Sequence, residues 1–140
     1  MRRGVVAGTV AGVVSGAPST VHALVTGGDP FAATAAAGSL VLRTERRPRL
    51  IAAAVGVHFA VSIGWGVVLA AVLPRRHTTA WGAVAGLAIA ALDLGLVGRR
   101  FPMIRALPVA PQVADHVLYG AVVGAVLASG RGSPGPPWRT

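Results

Sequence analysis

Cysteine and lysine are absent from this chain, and charged residues fill only 12% of its 140 positions. Without thiols there can be no disulfide scaffold and no thiolate zinc site. A water-soluble domain carries roughly 25% charged residues, so a chain with half that share is not built for water. The 54% apolar content excludes a disordered chain, and the glycines lack the three-residue period of a collagen-like rod. Gly-x-Ser-x-Gly, a phosphate-binding loop and His-Glu-x-x-His are also missing. The glycine-rich start cannot be a dinucleotide fingerprint, because it lies in an apolar helix with no strand before it. The expectation is a non-enzyme with no catalytic residue and no cofactor: an all-α integral membrane protein whose first partner is the lipid bilayer.

The net charge of +9 comes from 13 arginines. They lie between the apolar runs, at Arg2 and Arg3, Arg43 to Arg49, Arg75 and Arg76, Arg99 to Arg105, and Arg131 with Arg139. That is the placement of cations that flank membrane spans, not of a groove for phosphates, so no nucleic-acid partner is expected. Arginine without lysine, among abundant Ala, Gly and Val, fits a GC-rich bacterial genome, and the expected location is the cytoplasmic membrane.

A helix needs about 20 residues to cross roughly 30 Å of hydrocarbon. Four segments qualify, at about 4–24, 50–73, 80–98 and 113–129, and together they predict a four-helix bundle in one domain, 1–129. Pro102, Pro108 and Pro111 mark the last boundary. Residues 130–140, rich in Gly and Pro, read as a flexible tail. Met-Arg-Arg and the apolar run after it resemble a signal peptide, but Pro18 follows the only small-residue cleavage site, so the segment reads as a retained span with a kink or break at Pro18. A shorter apolar piece, about 30–43, has Asp29 as its expected N-cap and Pro30 at its first position. Its 12 apolar residues reach only about 18 Å, so a short extra helix is expected at the interface or packed on the bundle.

The first and third spans share Gly-x-Val-Ala-Gly, at Gly8 to Gly12 and Gly82 to Gly86, an offset of 74 residues. The second and fourth share His-x7-Gly-x-Val-Leu-Ala, at His58 to Ala70 and His116 to Ala128, an offset of 58. Two tandem hairpins, the first carrying the short helix, is one reading; chance in an Ala, Gly and Val-rich chain is the other. With four crossings, six arginines face one side and seven the other, which sets no orientation. If the short helix also crosses, the counts become nine and four. Its length favours four crossings.

In lipid, helices associate through close approach at small residues. Gly4, Gly8, Gly12 and Gly16 form one row at a four-residue spacing. Rows follow at His58, Ser62, Gly66 and Ala70, at Gly82 and Gly86, and at His116, Gly120, Gly124 and Ala128. These rows are the expected helix-packing faces, and the same faces suit a second copy or a membrane protein partner.

An ionisable side chain at membrane depth is costly and therefore a candidate for function. Asp93 lies roughly 8 Å and His58 about 12 Å inside its span, and His116 near the start of the fourth. Span alternation puts all three in one half, with Asp115 at the rim and Arg99 or Arg100 able to bend back. Asp93 is expected either to pair with Arg100 or His116 and fix packing, or to join the histidines in a proton or cation relay. Isolated histidines without cysteine or a second buried carboxylate predict no metal site. His77 reads as solvated, Trp65 as mid-span, Trp81 as an interfacial anchor and Trp138 as part of the tail.

The stretches VHFAVSIGWGVVLAAVLP (57–74) and PQVADHVLYGAVVGAVLA (111–128) resemble the small bacterial integral membrane proteins classed as domains of unknown function. That resemblance implies a multi-pass fold and brings no activity or site residue with it. A structural or interaction subunit is the leading expectation. The alternative, a small proton- or cation-coupled transporter, is similar to the small multidrug type in size and span count but lacks the membrane-embedded Glu those proteins carry in their first span.

Overall fold

A computed structural model describes residues 1–44 and 46–130, and the expected tail with Trp138 otherwise lies outside them. The described residues are all-helical, with no strand. Four helical stretches are long and apolar enough to cross a membrane: Arg2–Thr26, Arg47–Val72, Thr78–Arg100 and Val109–Ser129. The first is two helices, α1 (Arg2–Val14) and α2 (Ala17–Thr26), broken at Ser15 and Gly16. Pro18 explains the break, since it has no N–H to continue the ladder and favours the first turn of a new helix. α2 ends at Gly27 in the left-handed region, φ 71°, where glycine carries no steric cost.

α3 is Ala32–Gly38, shorter than the expected 30–43, because residues 39–42 close into turns onto the carbonyls of 35–38. Asp29 is not its N-cap, a position held by Phe31. Instead the Asp29 carboxylate accepts the Phe31 amide at 2.9 Å in a turn just before the helix. α3 lies against the start of α4 (Arg47–Val72), so close that a side chain at Gly38 would strike the Leu50 backbone, with Leu50 Cα at 2.9 Å.

α5 (Thr78–Leu92) widens into a π-helical turn over Asp93–Val97 and tightens to a 3-10 turn at Gly98–Arg100. α6 is a single turn, Pro102–Arg105. α7 (Val109–Ser129) begins earlier than the expected Val113. Pro111 does not bound it, because in the first turn its missing N–H has no partner to lose.

The order of glycine contacts fixes the directions. Gly4 of α1 meets Val67 of α4, and Gly12 meets Ser62 and His58, so α1 and α4 run antiparallel. Gly82 of α5 meets Gly120 and Gly124 of α7, while Gly86 meets His116 and Val117, again antiparallel. Gly130, after α7, lies beside the Arg3 guanidinium, so α7 also runs against α1. Residues 1, 75 and 130 therefore share one end, called proximal here, and α3, α6 and Arg43 share the distal end. α3 does not traverse the molecule.

Ala7, Ala11, Leu69, Ile89, Tyr119, Val123 and Leu127 fill the centre, with Trp65 packed against them. Outward faces stay apolar, as at Val13, Val25, Val84 and Leu87, each more than half exposed.

Candidate functional site

The break in the first candidate span exposes backbone polarity that an apolar surrounding cannot satisfy. α1 ends with the Ser15 amide donating to the Ala11 carbonyl, which leaves the Gly12 carbonyl next in line. His58 of α4 reaches it, Nε2 to O at 2.7 Å. A carbonyl only accepts, so Nε2 carries the hydrogen. On the far side of the break, the Ser19 amide donates to Asp115 Oδ1 of α7 at 2.9 Å. One carbonyl and one amide freed by the break are thus each taken by a polar side chain from another helix.

One residue on from Asp115, His116 turns the other way. Its Nδ1 donates to the Gln112 carbonyl at 2.8 Å, and its Nε2 lies 3.3 Å from Asp93 Oδ2. Because the Gln112 carbonyl only accepts, Nδ1 holds a hydrogen and Nε2 is the nitrogen turned to Asp93. A hydrogen between Nε2 and Asp93 then needs either a doubly protonated ring or a protonated carboxyl. The two side chains retain 23% and 34% exposure, so the pair is not sealed. Asp115 lies within electrostatic range of both His116 and His58.

Asp93, His116, Asp115 and His58 therefore occupy one region in the distal half, with Asp93 and His116 in direct contact. No ion pair joins Asp93 to Arg99 or Arg100 among the described residues. The π turn starts at Asp93 and shifts the helix phase, so a residue seven positions on no longer shares its face. His22 is at the same end but exposed, and His77 is exposed in the loop before α5, at φ 54°. No group of three or more His, Cys, Asp or Glu that could hold a metal occurs among the described residues.

Of the packing glycines, Gly4, Gly8, Gly12, Gly82, Gly86, Gly120 and Gly124 all press on a partner helix; a Cβ at Gly66 or Gly124 would come 2.6 Å from Gly8 Cα or 2.7 Å from Thr79 Cα. Gly16 does not belong with them. Nothing lies within 4 Å of its Cβ position, because the helix has already broken there.

Sequence reasoning passed over Tyr119, which is 6% exposed and donates its hydroxyl to the Ser62 carbonyl, joining α7 to α4. A lone tyrosine in an apolar helix was the available signal. It also passed over Ser19 and Gln112, which act through their backbone.

At the distal surface, Arg47 pairs with Asp29, and its guanidinium lies 5.7 Å from the Phe31 ring. The Phe31 amide first, and Arg47 with it, hold the Asp29 carboxyl below its ordinary range. The knot ties the approach to α3 to the start of α4. No family model, no curated protein and no solved structure matches the chain.

Proposed function

We propose that the protein is a four-span helical bundle of the bacterial cytoplasmic membrane, built as two tandem hairpins, and that it works as a structural subunit that pairs with a second copy of itself. The hairpin reading rests on equivalent contacts: the 74- and 58-residue offsets carry Gly8 on Ser62 to Gly82 on Gly120, and Gly4 on Gly66 to Thr78 on Gly124.

The observation that carries the assembly reading is a second small-residue row on α4, at Ala52, Gly56, Ala60 and Gly64. All four are exposed, and nothing lies within 4 Å of a Cβ at Gly56 or Gly64. Inside the molecule small rows dock on small rows, so the complement of an open row on α4 is the same row of another copy, related by a two-fold axis. The ionisable side chains at depth are meanwhile committed to neighbouring helices.

Gly56→Leu and Gly64→Leu test this, because they fill open space and leave the monomer's packing untouched. Cross-linking or single-molecule photobleaching in bilayers should find dimers of the parent chain and monomers of the variants. A parent chain that is monomeric, or variants that remain dimeric, would count against the reading.

A second reading, proton- or cation-coupled transport through Asp93, His58 and His116, is favoured by the π turn beginning at the carboxylate that lies 3.3 Å from His116 Nε2. Asp93→Asn and His58→Ala would then abolish flux in proteoliposomes, whereas in a structural subunit they change folding or assembly only.

A further inference from the structure

We propose that Asp93, His116 and Asp115 form a proton-binding site that water reaches from the distal, Arg43-bearing side alone. The inference rests on the membrane reading and goes beyond the assembly role.

Three observations converge on it. First, a small groove opens at the distal end between α2 and α7, with Thr26 and His22 at its walls and Ser19 and Gln112 within its lining. Ser19 holds Asp115 by its amide and Gln112 holds His116 by its carbonyl, so two of the groove's lining residues are bonded directly to the site. Second, the proximal half is closed: Ala7, Ala11 and Val123 are fully buried, and Leu127 and Leu69 nearly so. Between these and the site the polar link is Tyr119 to Ser62, a bond already satisfied. Third, the 74-residue offset carries Ser19 onto Asp93. Ser19 lies three residues past the break at Ser15 and Gly16, and Asp93 opens the π turn, so these two equivalent positions are each reached by one of two adjacent residues of α7.

The ligand is a proton carried by water, because the region holds a carboxylate and an imidazole 3.3 Å apart, and no group of three or more His, Cys, Asp or Glu that could hold a metal occurs among the described residues. The titratable and charged groups around it are His58 on α4, His22 on α2, Asp29 with Arg47 near the mouth, and Arg105 lining a second small cavity on the other side of Gln112.

The cysteine-free chain makes an introduced thiol unique. Full-length Thr26→Cys, Gln112→Cys and Val123→Cys, in sealed vesicles of known orientation, are treated with a charged, membrane-impermeant methanethiosulfonate. The thiols at 26 and 112 should react from the Arg43 side only, at least about tenfold faster than the one at 123. In parallel, the infrared carboxyl signal should follow pH on that side, shrink in Asp93→Asn and Asp115→Asn, and respond more slowly once position 112 is labelled. A thiol at 112 no faster than the one at 123, equal reaction from both sides, or a carboxyl signal indifferent to both Asn variants would each overturn the proposal. Recovery of the parent chain without detergent in the soluble fraction would instead remove the membrane reading beneath it.

Discussion

The hairpin of α1 with α4 and the hairpin of α5 with α7 share a contact scheme and differ in chemistry. In both, a glycine of the first helix sits on the backbone of the second at matching offsets. In the first hairpin the histidine reaches across to a carbonyl freed by a helix break, Gly12. In the second, His116 bonds a carbonyl of its own helix, leaving Nε2 for a carboxylate. The residue at one equivalent position also differs: Ser19 in the first hairpin, Asp93 in the second. Packing is common to both hairpins, and the carboxylate-imidazole contact belongs to the second. The interface between hairpins follows a third rule, with Leu69, Ile89, Tyr119 and Val123 filling space that glycine fills within them.

The largest effect should follow from breaking the shared scheme. Gly8→Leu and Gly82→Leu place a side chain into the Ser62 and Gly120 backbones, and each should cost about 3 kcal/mol or unfold its hairpin. Gly16→Ala, in open space with φ −78°, should be neutral or stabilising by about 0.5 kcal/mol. Unfolding in detergent or by steric trapping reads all three, and equal responses at 8 and 16 would refute the packing account.

Asp93→Asn addresses what sets the second hairpin apart. It removes the ionisable partner of His116 and should cost about 1–2 kcal/mol. Ser19→Ala, at the corresponding position, should cost less, because there the backbone amide holds Asp115. Tyr119→Phe, which touches only the interface between hairpins, should cost about 1 kcal/mol, measured by the same unfolding assay.

The smallest effect is at the distal knot. The Asp29 carboxyl is held below its ordinary value of 3.8, so the stabilisation it provides is fully present above that value. It is lost as pH falls through the lower folded value. Amide exchange in α3 should therefore accelerate in acid in the parent chain, and be pH-independent beyond the intrinsic rate in Asp29→Asn.

The glycine rows were legible in the sequence because a four-residue spacing on a helix maps directly onto a face. Asp93 and His116 were legible as neighbours because charge in an apolar run needs a partner and span alternation left few. Arg100 was the wrong alternative, since a uniform helical phase hides a π turn. Gly16 failed as a packing residue for a related reason: it lies in the break itself, which falls at Ser15 and Gly16, ahead of Pro18. Ser19 and Gln112 were beyond reach because backbone groups carry no signature in side-chain identity. Gly38 was missed because a single glycine in a short helix forms no row.

The most direct test of the four-crossing hairpin pair is the sidedness of positions 2 and 76. Single cysteines at Arg2→Cys and Arg76→Cys, labelled in intact cells and in inverted vesicles, should report the same face of the membrane, with Arg43→Cys on the other. Opposite faces for 2 and 76 would mean that α3 crosses, and would contradict the antiparallel contact of α1 with α4.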